Sequence, residues 1–177
     1  EGYAAMSALA TDANLSKINS DASPSHITAS RPFGENCGFV LGESSQYMVL
    51  MDDKLAIELG ANIHGAVTEV FTSADGFKRS ISAPGPGNFI TLAKAVANAV
   101  ANFGAEHVRS KSFIQAHGSS TPQNRVTESK ILSEIAGSFG IKSWPVTAIK
   151  AFVGHSLAPA SADQLINTIG ILTHKII

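Results

Sequence analysis

P-V-T-A-I-K-A-F-V-G-H-S-L-A-P-A-S-A-D, running from Pro145 to Asp163, reads as a short buried strand, Pro145 to Ile149, then a small-residue loop and the start of a helix. The strand delivers Lys150 to its end, and the loop carries His155. A cation and an imidazole at the exit of a strand, where a helix N-terminus can also point its free amides, suit chemistry on a carbonyl or an anion. Lys150 and His155 are five positions apart. On a helix they would point in different directions, but a strand end and a loop can bring both round one site.

Just upstream the pattern is the same. Ser112 to Ala116 predicts a short strand ending at His117, followed by the turn G-S-S-T-P-Q-N, with Thr121 a candidate N-cap and Pro122 suited to the first helical position. Ile131, Leu132, Ile135 and Phe139 give that helix its apolar face up to Gly140, and a further helix from about Ala160 to His174 follows the second strand. Strand, helix, strand, helix is an α/β signature that predicts parallel strands. His117 and His155 then lie in loops at the carboxyl edge of the sheet, the usual ligand side of open α/β folds. Two imidazoles near one point can donate hydrogen bonds to a developing oxyanion, with Lys150 holding a carboxylate or setting the electrostatics.

The rest of the chain frames this unit. Gly2 to Thr11 has helical spacing, Asp12 to Pro32 reads as a polar loop, and Gly38 to Met51 as two β-rich runs broken at Gly42 to Ser45. Asp52 or Asp53 can cap a helix over Lys54 to Leu59, which Gly60 ends, and His64 to Ser73 reads as a strand buried over part of its length. The loop Asp75 to Asn88 divides two halves, and an amphipathic helix runs from Phe89 to Gly104 on Leu92, Val96, Val100 and Phe103. P-G-P-G-N at Pro84 to Asn88 lacks the G-K-[ST] ending of a phosphate loop.

With 177 residues, 44% hydrophobic and 15% charged, the chain can bury a sizeable core, and disorder is not expected. A formal net charge of -1 provides no global footprint for nucleic acid, and no basic run suggests a membrane-surface segment. Cys37, the single cysteine, cannot form an intramolecular disulfide; with no signal peptide and no apolar run of transmembrane length, a reducing cytoplasm is expected. The six histidines are scattered and no paired-cysteine motif occurs, so no metal is expected. Because the chain begins at Glu1 rather than at methionine, it is expected to be a piece of a longer one.

A-H-G-S-S-T-P at Ala116 to Pro122 and I-K-A-F-V-G-H-S-L at Ile149 to Leu157 resemble the two histidine motifs of the β-ketoacyl-acyl-carrier-protein synthases, A-H-G-T-[SG]-T and [ST]-x-K-x-x-x-G-H. S-R-P-F at Ser30 to Phe33 and G-F-V-L-G-E at Gly38 to Glu43 resemble two further family motifs in the same order. The resemblance implies a thiolase-like fold, layered α-β-α-β-α, with residues 1–75 ending its N-terminal half and residues 76–177 forming most of its C-terminal half. It implies a homodimeric acyltransferase that joins an acyl thioester to malonyl carrier protein by decarboxylative Claisen condensation, in fatty-acid or polyketide synthesis, without a cofactor. Its partner would be acyl carrier protein bearing acyl and malonyl thioesters, and neither nucleic acid nor membrane. By motif position His117 and His155 would be the active-site histidines, Lys150 the family lysine, and Glu128 the glutamate that pairs with it.

The departures are equally specific. No residue matches the family's cysteine nucleophile or its closing glycine-rich loop. Cys37 stands in N-C-G-F, where the family has Asp, and is read as a small loop residue, because thiol reactivity needs a helix N-terminus or cationic neighbours that the sequence does not show. Arg125 follows Asn124 where the family has Asp, adding a cation beside the site; Ala148, Ile149 and Val153 replace hydroxyl residues. The chain by itself is therefore expected not to condense substrates. Two other readings belong to different classes: a non-catalytic ketosynthase-like scaffold or chain-length subunit, which need not keep all three of His117, Lys150 and His155, and an independent small α/β domain that binds an anion. The basic pairs Lys78-Arg79 and Arg109 with Lys111 are candidates for meeting an acidic carrier protein.

Overall fold

A computed structural model describes residues 2–20, 22–77 and 83–177. At its centre β1, Ile114–Gln115, pairs in parallel with β2, Val146–Thr147, with Ile114 opposite Val146 and Gln115 opposite Thr147. The ladder extends through Ile114 N–H to Pro145 O and Ala116 N–H to Thr147 O, both 2.8 Å. The parallel arrangement expected from the strand–helix alternation is present.

Helix α6, Pro122–Phe139, makes the crossover between the strands. Thr121 caps it in an extended conformation, its Oγ1 accepting from Asn124 N, and Pro122 occupies its start, where a missing N–H costs nothing. Gly140 ends it at φ 69, a left-handed position that favours glycine. Ile131 and Ile135, four apart on one face, pack with Val96, Val108 and Ile141 in the hydrophobic core. Burying side chains of this size is worth roughly 1.5–3 kcal/mol each, which anchors the crossover and hence the loops at both its ends.

Val96 comes from α4, Pro86–Phe103, and Val108 from α5, Ala105–Lys111. Helix α4 starts three residues earlier than its apolar spacing predicts, because Pro86 supplies a favourable first position after Gly85. The final helix, α8, spans Ala160–His174 as expected, after a one-turn helix α7, Lys150–Val153. The stretch before Lys150 is shorter and more open than a buried strand: β2 has two residues and Val146 is 42% exposed.

The N-terminal region departs further from expectation. Helix α1 covers only Gly2–Ala5, and the polar Asp12 to Pro32 stretch contains a helix, α2, over Asp12–Asn19. Thr11 caps it by accepting from Asn14 N, and Leu15, only 1% exposed, provides its single buried anchor. Helix α3, Asp53–Glu58, is capped by Asp52 as expected. The two anticipated strand regions do not form. Within Gly38 to Met51 there are only isolated parallel bridges, Leu9 with Phe39 and Leu41 with His155, and His64 to Ser73 contains no paired strand. Backbone groups settle into a ladder only where a neighbouring strand offers partners, and among the described residues none runs alongside beyond these two bridges. Val67 and Val70, expected to be partly buried, are instead 62% and 71% exposed.

Candidate active site

The two histidine loops meet at the end of the parallel pair. His117 follows β1 and the buried Ala116; His155 follows α7. Their rings lie edge to face, 5.3 Å between centroids at 78°.

The loop after His117 is fixed by backbone demands. Gly118 has φ 49, and a Cβ there would come within 2.7 Å of Ala148 Cβ, so glycine is required both for conformation and for space. Ser120 is fully buried; its Oγ accepts from Arg31 N at 2.8 Å and its carbonyl from Gly38 N at 3.1 Å. S-R-P-F and G-F-V-L-G-E therefore converge on this loop.

Glu128 and Lys150 grip the same peptide from opposite sides. Glu128 Oε1 accepts from His117 N at 2.6 Å and Oε2 from Gly118 N at 2.8 Å, while Lys150 Nζ donates to His117 O at 2.8 Å. Asn124, one turn before Glu128 on α6, holds the carboxylate through Nδ2 at 2.9 Å. The pairing expected between lysine and glutamate is thus made through the His117 peptide: no ion pair joins the two within 4.0 Å among the described residues. Lys150 is 2% exposed, and Ser30 Oγ donates to its carbonyl at 2.7 Å. Burial lowers its pKa, and the charges of Glu128 and Asp163 oppose that shift.

His155 is held by backbone on both sides, donating from N to Val40 O at 2.7 Å and accepting at O from Gly42 N at 3.1 Å. A Cβ on Gly42 would lie 2.3 Å from Val153 O, so this approach also requires glycine. The ring packs against Phe39, 5.3 Å between centroids. Leu157 N donates to Nδ1 at 3.0 Å, so Nδ1 is the acceptor and the neutral ring carries its proton on Nε2. Neutrality is favoured: burial, then Lys150 and His117, push its pKa to about 4 against the opposing charge of Asp163. His117 is also shifted down, first by burial and then by Lys150, with Glu128 opposing. It keeps an accessible edge, yet protein atoms crowd its ring enough for desolvation to dominate. The result is two neutral imidazoles beside one buried cation, a donor array matched to negative charge developing on an oxygen.

Other singled-out residues lie in different settings. The Cys37 thiol is raised by burial, against the opposing charge of Arg31, and so is held protonated. Arg125 turns to the S-R-P-F loop, Nη1 donating to Gly34 O at 2.6 Å, and thereby holds that loop against α6. Arg109 donates from Nε to Phe139 O at 2.9 Å, serving the end of α6. Lys78 and Arg79 lie outside the described residues. Among the described residues no group of three or more His, Cys, Asp and Glu gathers for a metal, and no helix is long and apolar enough to cross a membrane.

Sequence reasoning missed Asn124, Ser156, Asp163 and Gln46. Asn124 was legible, being four positions from Glu128 on the same helix face. Gln46, which reaches Asp163 from 117 positions away, left no local signal.

A family model described as β-ketoacyl synthase, C-terminal domain, matches residues 64–177. Beta-ketoacyl-[acyl-carrier-protein] synthase FabY of Pseudomonas aeruginosa is 64% identical over 177 residues, 100% of this chain and 28% of that protein. 3-oxoacyl-[acyl-carrier-protein] synthase 2 of a Synechocystis species is 33% identical over 145 residues, 81% of this chain and 33% of that protein. The chain thus spans 28% and 33% of these relatives. Among solved structures, the noncanonical ketosynthase FabY from P. aeruginosa aligns with a TM-score of 0.92 and 66% identity over 96% of this chain and 27% of that one. A ketosynthase solved with its acyl carrier protein, AntDE with AntF, aligns with a TM-score of 0.65 and 22% identity over 97% of this chain and 38% of that one, a likeness of fold. The mixed α/β architecture is accordingly a portion of the thiolase-like fold.

Proposed function

Because this chain belongs to the β-ketoacyl synthase family, we propose that it carries the malonyl-handling part of the active site of a β-ketoacyl-acyl-carrier-protein synthase. The observation that carries this reading is the pair of imidazoles with ring centroids 5.3 Å apart and His155 Nδ1 occupied by Leu157 N–H. In the proposed reaction the bond between the malonyl carboxylate and the adjacent carbon breaks, carbon dioxide leaves, and the electron pair passes into a thioester enolate. His117 and His155 donate hydrogen bonds to its oxygen. Lys150 and Glu128 hold the His117 peptide and so position the first of these donors. The enolate carbon then attacks an acyl thioester carried on a cysteine that no residue of this chain matches, and the cysteine sulfur leaves as thiolate.

On this reading residues 1–75 end the N-terminal half of the fold and residues 76–177 form most of the C-terminal half. The working enzyme is a cytoplasmic homodimeric acyltransferase, served by acyl carrier protein and needing no cofactor. The test replaces His117 or His155 by alanine in the full-length protein that carries this sequence and follows carbon dioxide release from malonyl carrier protein. Losing one oxyanion donor should lower turnover by about 10²–10³-fold. Release at the unmodified rate in both variants would refute the assignment and favour a non-catalytic scaffold.

A further inference from the structure

Asp163, in the first turn of α8, ties the loop seven positions before it to Gln46, 117 positions away. Its Oδ2 accepts from Ser156 Oγ and its Oδ1 from Gln46 Nε2. Ser156 stands between His155 and Leu157, the two residues joined by the bond from Leu157 N to the His155 ring. Leu157 has φ 64, a left-handed conformation that a branched side chain keeps only where its surroundings hold it. The Asp163 carboxylate grips that loop at its middle residue, Ser156, from the first turn of α8.

We infer that Asp163 is a positioning residue for His155, fixing the loop through Ser156 so that the imidazole keeps its Leu157 bond and presents Nε2–H. Asp163 has a second effect through charge. The groups acting on His155 are Lys150 from α7 and His117 from the loop after β1, both disfavouring a proton there, and Asp163 from α8, which alone opposes them; Glu128 of α6 acts on His117 and Lys150.

The inference rests on the proposed role of His155 as an oxyanion donor, and the two can be tested apart. In the full-length protein carrying this sequence, Asp163→Asn removes the charge at constant size, and Ser156→Ala breaks the grip while leaving the charge. Two readings are taken: a ¹³C-histidine NMR titration of His155, and steady-state malonyl decarboxylation. Asp163→Asn should move the His155 titration to lower pH, and both variants should lose roughly 10- to 100-fold in kcat with little change in KM, the pattern of a misplaced catalytic donor. Asp163→Glu should recover part of the loss. An unchanged titration and unchanged kcat in folded variants would overturn the inference; should Asp163→Asn not fold, kcat in Ser156→Ala decides. If His155→Ala stays fully active while Asp163→Asn still shifts the titration, the functional reading falls and the positioning role stands.

Discussion

A histidine that must stay neutral links the site to pH. His155 has a folded pKa of about 4 against an ordinary value of 6.5. Below pH 6.5 the unfolded chain takes up a proton there that the folded chain refuses, so folding loses stability as pH falls from 6.5 toward 4 and is unaffected by this group above that window. His117, shifted in the same direction, adds to the effect. The expected outcome is a lower urea midpoint at pH 5 than at pH 7, with a smaller difference in His155→Gln. An equal difference in the variant would show that other groups set the acid limit. The same residue-scale logic explains why the half-buried Glu128 and the buried Lys150 are partners of a peptide rather than of each other. Two N–H groups and one carbonyl of the His117 turn need partners, and where such a group is buried, leaving it unmet costs about 1–3 kcal/mol.

At the scale of the element, α6 orients the site: its cap starts it beside the His117 loop, and its second turn presents Glu128 to that loop. Thr121 Oγ1 accepts from Asn124 N at 3.4 Å and lies 3.0 Å from Ser119 Oγ, joining helix start and loop. Thr121→Ala should cost about 1 kcal/mol, toward the low end given the long bond, with Thr121→Ser close to unmodified. Equilibrium denaturation of the three proteins measures this, and an alanine variant as stable as the original would show that Pro122 alone suffices to start the helix. Helices α4, α5 and α6 share one core, whereas α2 has a single buried anchor in Leu15. That contrast explains why periodicity found α4 and α6 but not α2: an amphipathic stripe is legible, a capped polar turn with one leucine is not.

Across the whole molecule, many of the large apolar residues between Leu41 and Phe77 meet solvent. Tyr47 is 93% exposed, Val49 82%, Leu50 77% and Val70 71%. Surface of this kind marks a face to be covered. The isolated 177-residue chain is therefore expected to bind a hydrophobic dye strongly and to make no condensation product from acyl and malonyl thioesters, since no residue matches the family nucleophile. Product formation by the purified chain would refute this. Local chemistry made part of the molecule legible in advance. Thr121, Pro122 and Gly140 mark the ends of α6, α8 follows its apolar spacing, and two strands separated by a crossover helix imply parallel pairing. His117 and His155 could be placed in facing loops by motif and strand position. Those features depend on a few neighbouring residues, whose caps and periodicities act wherever the chain goes. Only the tertiary structure decided that the runs through Gly38 to Met51 and His64 to Ser73 lack strand partners, that Glu128 and Lys150 meet through a peptide, and that Gln46 and Ser156 share Asp163. Each of those depends on which surfaces come together across long separations, and a hydrogen-bonding group carries no local mark of the distant partner that will satisfy it.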